Sequence, residues 1–228
     1  NKQSVESYRF ETTMLLFGFI PIPFFHPEGV LDFSIGIDSY RTKIKFYDIK
    51  ENSRTYYFQK SYGTISEGRL KPTQSEVFRH FPDIAKNFDK FRHDKNVYDF
   101  EYAHGNLAMV KRLEENFAKN TKPANTAHPV IEEIYKSSTD ILTAIVQALL
   151  DIQSGNKPEK IYIIGMKGIP RIGYITMNGS RVSVKADMQE EDIHFDSAHI
   201  DLDANLQPLR IKIKKFIKFV DLECKVKR

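Results

Sequence analysis

The alternation of apolar and polar residues predicts a chain built mainly of β-strands. Residues 30–37, 40–49 and 54–62 alternate with the period of two that half-buried strands show. The last of these segments would place Tyr56, Phe58 and Tyr62 on one face. Pro72 is expected to interrupt a further strand near residues 74–81, because proline cannot donate to a sheet.

The middle of the chain alternates again and then becomes polar. Residues 96–103 predict a strand with an aromatic inner face, on which Tyr98, Phe100 and Tyr102 lie. A hairpin turn at 104–106 would lead into a returning strand. Residues 115–128 are polar and contain a proline, so we expect a flexible loop there.

Past Pro129 the apolar period changes to that of a helix. Apolar side chains cover most of the circumference of residues 138–154, which leaves only a narrow polar side. Ser138 or Thr139 would cap the helix, Asp140 would complement its dipole, and Gly155 would end it. Such a broad apolar surface predicts a helix buried on most of its sides.

About five strand-like segments follow the helix, and Asn178-Gly179 between two of them is a strong hairpin signal. Short turns join antiparallel strands. The sequence therefore predicts one domain over residues 1–228 of the mainly β (α+β) class. We expect a strongly curved antiparallel meander sheet or half-barrel packed on one long buried helix, lipocalin-like or lipoprotein-carrier-like in outline.

Composition narrows the class of protein. The 228 residues carry a net charge of +4, with no basic cluster of the kind that binds nucleic acid. No apolar run reaches the roughly 18 residues of a membrane-spanning helix. The lone Cys224 excludes an internal disulfide. We expect a monomer that binds no nucleic acid and has no transmembrane segment.

Candidate metal ligands cluster only near the end of the chain. His199, Asp201 and Asp203 share one parity, whereas the alternate positions Ile200 and Leu202 are apolar. The histidine and the carboxylates should therefore lie on the solvated outer face of a strand. No nucleophile, phosphate-loop, zinc or dinucleotide motif is present. We predict no enzyme activity, no cofactor and no metal site.

Residues 14–25 contain no polar side chain and include Pro21 and Pro23, which exclude a continuous helix. One interpretation is a buried strand over residues 12–19 that leads into a packed extended segment. The other is an exposed apolar lip at a ligand portal or partner site. The candidate ligand or partner residues are Phe17, Phe19, Phe24 and Phe25.

A second candidate surface is the basic outer face of the last long strand, with a bulge expected near residues 214–215. It consists of Arg210, Lys212, Lys214 and Lys218. Lysines on an edge strand oppose edge-to-edge aggregation. The alternative is contact with anionic lipid head groups or lipopolysaccharide phosphates.

These motifs resemble the bacterial domain of unknown function 3108 family. Asp140 opens the helix, and Asp203, Asn205 and Pro208 form an Asp-x-Asn-x-x-Pro turn before the final strand, as in that family. Residues 68–72 are similar to a segment in the middle of the family's domain. The resemblance implies export to the Gram-negative envelope and no catalytic residues.

We therefore expect a periplasmic protein, tethered to the outer membrane if a lipidation signal precedes Asn1. The first functional hypothesis is a non-enzymatic module that binds an apolar or lipid-like ligand between sheet and helix. The alternative is an envelope or virulence-associated protein–protein interaction module with a closed core. An enzyme with a dispersed site is the third. A lined pocket of ~300 Å³ or more would favour the ligand-binding module.

Overall fold

Most of the chain forms a large, open and curved antiparallel sheet, with one α-helix inserted in its sequence. The computed structural model describes residues 4–17, 19–22, 27–48, 55–80, 93–117, 122–186, 197–217 and 220–227. Within these residues the helix α1 spans Ile141–Gln153, and a 3-10 turn spans Glu133–Tyr135.

Sixteen strands lie in the described part of the chain. They are β1 (Ser4–Leu16), β2 (Ile20–Pro21), β3 (Glu28–Ile35), β4 (Ser39–Tyr47), β5 (Thr55–Ser66), β6 (Arg69–His80), β7 (His93–Ala103), β8 (Asn106–Asn116), β9 (Ala124–Pro129), β10 (Thr139–Asp140), β11 (Lys160–Ile164), β12 (Pro170–Asn178), β13 (Arg181–Ala186), β14 (Ser197–Leu202), β15 (Pro208–Ile217) and β16 (Val220–Val226).

The strand order makes β1 the junction between two meanders. Its first part pairs with β3 and its second part with β16, and on either side the strands follow one another in sequence. The short β2 pairs with β1. Among the described strands, every pair is antiparallel except β10 with β11, which are connected through α1. A parallel pair requires such a crossover, so the helix is placed where the chain must return along the sheet.

Several strand predictions are confirmed. In β3, Leu31 and Phe33 are buried while their neighbours are partly exposed, as the alternation predicts. Tyr98 and Phe100 of β7 are buried on the predicted aromatic inner face. The turn after β7 is also confirmed, and its residue Gly105 has the positive φ that a tight hairpin turn requires.

The predicted inner face of β5 is wrong. A register shift opposite Tyr47 changes the phase of the strand at Tyr56, so that Gln59 and Ser61 face inward and are buried. Tyr62 lies on the exposed outer face, where it bonds to Gln74. The bulge therefore directs the side chains of Gln59 and Ser61 to the interior, whereas the alternation placed them on the outer face.

Pro72 does not interrupt its strand. It lies within β6, opposite Gly63, at a second register shift. A Cβ atom on Gly63 would lie 2.0 Å from the carbonyl oxygen of Lys71. The close approach of two backbones thus requires glycine on one strand, and the bulge accommodates the proline on the other.

The loop predicted at 115–128 is shorter than expected. Strand β8 continues to Asn116, and residues from Ala124 onward form β9, which pairs with β8. The side chains of β9 are exposed with the exception of the half-buried His128. A polar edge strand has no apolar alternation, so the sequence pattern gave no signal for it.

The structure has one described helix in the predicted region, and at 13 residues it is shorter than the predicted range of 138–154. Asp140 itself is the N-cap, rather than Ser138 or Thr139, and Gly155 follows the C-terminal end with a positive φ. Seven helix residues are buried, and all of them except Thr143 join apolar clusters contributed by both halves of the sheet. The helix therefore links the two meanders through its side chains.

Replacing Leu149 by aspartate tests this packing. Leu149 is buried in the cluster formed with β11 to β14, so an unpaired carboxylate there should lower the free energy of unfolding by roughly 3 to 5 kcal/mol. Chemical denaturation measures the change. The control Ile131→Asp alters a side chain that is 82% exposed and should have little effect. Equal stability of the two variants would contradict the packing.

Candidate functional site

A buried carboxylate joins the start of α1 to strand β5. The Oδ1 atom of Asp140 accepts hydrogen bonds from the backbone N–H groups of Leu142 and Thr143, at 3.1 Å each, and from the Gln59 amide at 3.0 Å. Its Oδ2 atom accepts from the hydroxyls of Ser61 and Thr143, both at 2.6 Å. Burial raises the pKa of Asp140, and these donors act against the rise. Five donors thus surround one carboxyl group.

The same polar side of α1 continues along the strands. The Tyr40 and Thr143 hydroxyls lie 3.0 Å apart. One turn later the side-chain oxygen of Gln147 accepts from a backbone N–H of β6 at 2.9 Å. One turn further, Asp151 forms an ion pair with Arg69 at 2.7 Å. We call this row of contacts the polar seam. The narrow polar side of the helix therefore faces strands β4 to β6.

An apolar interior cavity of about 100 Å³ lies beside the first turn of α1. Ile145 of the helix and Phe46, Val77 and Phe100 of the sheet are among the apolar side chains that line it, and Asp140 contributes a polar part. The cavity is smaller than the ~150 Å³ apolar cavity that holds benzene in a well-studied case. It is too small for a lipid chain.

A larger space, the helix–sheet cleft, lies along the later part of the polar seam, and Arg69, Gln147 and Asp151 of the seam are among its lining residues. Its volume is about 480 Å³. Ala144 and Ala148 of α1 form part of one wall, and the turns that join β5 to β6 and β7 to β8 form another. Two small residues, one helical turn apart, leave this space open. The cleft exceeds the ~300 Å³ lower limit of typical ligand sites, whereas the interior cavity does not.

Two hydroxyl groups at the cleft have no hydrogen-bond partner within the described part of the chain. One is the Oγ atom of Ser138, which is 1% exposed, and the other is the buried Oη atom of Tyr102. Burial raises the pKa of Tyr102, and the nearby Asp140 carboxylate raises it further, so the phenol stays protonated. Buried polar groups are normally paired. These two groups therefore have unused bonding capacity beside the cleft.

The predicted apolar lip is partly described. Phe17 is 60% exposed and Phe19 is 72% exposed, at the turn between β1 and β2, and Ile20 beside them is also exposed. We call these three residues the apolar hairpin. The buried interpretation is wrong for Phe17 and Phe19. Phe24 and Phe25 lie outside the described residues.

Two of the four residues of the predicted basic face are paired with carboxylates. Strand β15 lies between β14 and β16, so the edge-strand explanation for its lysines is wrong. Arg210 forms an ion pair with Glu223 at 2.7 Å, and Lys212 lies 3.7 Å from Asp221. The bulge after Ile213 is confirmed. Lys214 is exposed, and Lys218 lies outside the described residues.

The residues considered as metal ligands bond to other groups. His199 bonds to the Ser183 hydroxyl at 2.8 Å, and Asp201 pairs with Arg181. Asp203 accepts two backbone N–H groups within its own turn. Among the residues that the structure describes, no group of three metal-binding side chains is found.

Comparison with known proteins gives no relative: no family model, curated protein or solved structure matches this chain. The resemblance to the domain of unknown function 3108 family therefore stays a prediction. Within the described residues, α1 falls short of the length a helix needs to cross a membrane.

Sequence reasoning missed the helix–sheet cleft. Tyr102 was expected only as an inner aromatic residue, and Ser138 only as a helix cap. The available signal was that Asp140, which is as good an N-cap residue as serine, follows Ser138 and Thr139 and lies closer to the helix, which leaves Ser138 without a capping role.

Truncation of Asp140 tests the polar seam. Asp140→Ala leaves five donors without an acceptor and should lower the free energy of unfolding by about 3 to 5 kcal/mol. Asp140→Asn should cost less, because its carbonyl still accepts from the N–H donors and the two hydroxyls can rotate. Denaturant titration of both variants, with the exposed Asp38→Ala as control, measures which substitution lowers the free energy of unfolding more. Equal losses for alanine and asparagine would contradict this role.

Proposed function

We propose that the protein is a non-enzymatic module of the bacterial envelope that binds a lipid-like ligand between its sheet and its helix. The observation that carries the proposal is the volume of the helix–sheet cleft, about 480 Å³, which is within the range of small-molecule sites. Its wall combines small apolar residues of α1 with polar and basic side chains. An amphipathic ligand matches such a lining.

The finer shape in this proposal is a half-barrel that holds α1 on its concave side, lipocalin-like or lipoprotein-carrier-like in outline. It is supported by the position of the helix residues in the core. Leu142 packs with residues of β1, β4 and β16, whereas Leu149 packs with residues of β11 to β14. A helix that touches both halves of one sheet is enclosed best when the sheet curves around it.

A binding role agrees with the chemistry of the cleft. A nucleophilic serine or tyrosine requires a base within hydrogen-bond distance, and the hydroxyls of Ser138 and Tyr102 contact none. The envelope location derives from the family resemblance alone. Fractionation of the native protein into cytosolic, periplasmic and membrane pools would test the location separately from binding.

Filling the cleft tests the proposal. Ala148 is buried against the cleft, so Ala148→Leu should occupy part of its volume and weaken binding of the uncharged apolar probe N-phenyl-1-naphthylamine at least tenfold. Fluorescence titration measures the affinity. The matched control Ala124→Leu adds the same side chain at an exposed position of β9 that does not line the cleft, and it should bind the probe like the parent. Unchanged binding by a folded Ala148→Leu variant would argue against a ligand in the cleft.

The second candidate is an interaction module that binds an apolar segment of another envelope protein. Two observations favour it: the apolar hairpin is exposed, and the interior cavity beside α1 is small. Leu16 and Ile22, which flank the hairpin, pack into the core. A rigid base under exposed aromatic side chains is typical of a protein-binding surface.

Replacing Phe19 by serine tests this second candidate. Because Phe19 is 72% exposed, the substitution should change the free energy of unfolding by less than about 0.5 kcal/mol. Crosslinking in cells that express the protein should show one specific adduct that disappears in the variant. The buried Phe10→Ser serves as the destabilised control. An adduct that persists in Phe19→Ser would exclude the hairpin as the contact.

A further inference from the structure

We propose that the helix–sheet cleft binds an anionic head group with several acceptor oxygens, a phosphate or a carboxylate, through the hydroxyls of Ser138 and Tyr102 and the ammonium of Lys71. This inference rests on the proposed function, because it names the polar part of the same ligand. It concerns residues that bind rather than react.

The first argument is the unused bonding capacity of the two hydroxyls. A buried hydroxyl without a partner destabilises a folded protein, and native structures contain few of them. Here two lie at the same cleft, on segments that are 36 residues apart in the sequence and that meet only through the fold. Ser138 precedes β10, and Tyr102 belongs to β7. A ligand with acceptor oxygens would satisfy both groups at once.

The second argument is the charge of the cleft. Four basic and two acidic side chains line it, an excess of two positive charges: Glu67, Arg69, Lys71, Lys136, Asp151 and Lys160. Arg69 is paired with Asp151, and Lys136 is paired with the exposed Glu133. Lys71 donates to a neutral acceptor, the carbonyl oxygen of Gly105, at 2.9 Å. Its ammonium group can therefore offer its other protons to an anion.

The carboxylate of Asp140 lies near the Tyr102 hydroxyl. Five donors and the start of α1 stabilise its charge. Its effect on Tyr102 is to keep the phenol protonated. A protonated phenol donates to an anion, as the proposal requires.

Three probes, octyl phosphate, octyl glucoside and inorganic phosphate, distinguish binding of the head group from binding of the alkyl chain. Isothermal titration below the micelle concentration measures each affinity for the parent protein. We expect octyl phosphate to bind at least tenfold more tightly than uncharged octyl glucoside, since a hydrogen bond to a charged group is worth about tenfold in affinity. Inorganic phosphate distinguishes a free anion from a lipid-like ligand.

Three variants remove one group each: Ser138→Ala, Tyr102→Phe and Lys71→Met. Each should weaken octyl phosphate binding about tenfold and leave octyl glucoside binding unchanged. The two hydroxyl variants should keep or raise the melting temperature, because they delete an unpaired buried group. Tyr62→Phe and Lys43→Met make the same chemical changes at exposed positions and should bind like the parent.

The outcomes separate the two proposals. Weaker phosphate binding in the three variants, with both controls unchanged, supports the head-group site. Equal binding of both amphiphiles, unaffected by the variants, overturns the head-group site and leaves the lipid-like ligand standing. Inorganic phosphate binding as tightly as octyl phosphate, with the same losses in the variants, supports the anion site and overturns the lipid-like ligand. A parent protein that binds none of the three overturns both.

Discussion

The polar seam between α1 and strands β4 to β6 fixes the geometry on which the rest of the interior depends. Apolar packing alone would allow a broadly apolar helix to rotate or slide, because the hydrophobic effect has no direction. Hydrogen bonds have direction, and a buried group that loses its partner is costly. Asp140, Thr143 and Gln147 therefore set the rotation of α1 against the sheet.

That rotation decides which side chains meet each cavity. With its polar side held against the strands, α1 directs Ile145 to the interior cavity and Ala144 and Ala148 to the helix–sheet cleft. The seam also requires the polar side chains of Gln59 and Ser61 on the inner face of β5, where apolar residues would otherwise pack. The two spaces that border the seam are thus consequences of the same hydrogen bonds.

Sequence reasoning identified the features that depend on local pattern. The alternation in β3 and β7, the bounds of the hairpin at Gly105 and the existence of α1 follow from periods and turn residues that neighbouring positions determine. The inner face of β5 could not be predicted, since a single bulge near Tyr56 reverses the parity of every later residue. A bulge depends on the pairing with the neighbouring strand, and the alternation within one strand carries no information about that pairing.

The candidate surfaces show the same limit. The composition of residues 14–25 fits a buried segment and an exposed segment equally well. Which of the two is correct depends on the residues that lie opposite the β1–β2 turn. The basic row of β15 was expected at an edge, yet β16 follows it and supplies Glu223 and Asp221 as partners. The sequence did not predict the cleft, for a related reason. Ser138 and Tyr102 are unremarkable in their own segments, and only the fold brings them together.

The register of the sheet separates the two candidate functions in space. Ser4, at the start of β1, pairs with Ile35, at the end of β3. The β3–β4 turn follows Ile35 and lies next to the end of β5. The turns that border the cleft therefore lie at the same end of the sheet as the start of β1. Leu16 and the apolar hairpin lie at the opposite end of β1. The hairpin is therefore not the entrance to the cleft, and a ligand would enter between the β5–β6 and β7–β8 turns. Partner binding at one end and ligand binding at the other can coexist in one protein, and neither depends on the other's residues.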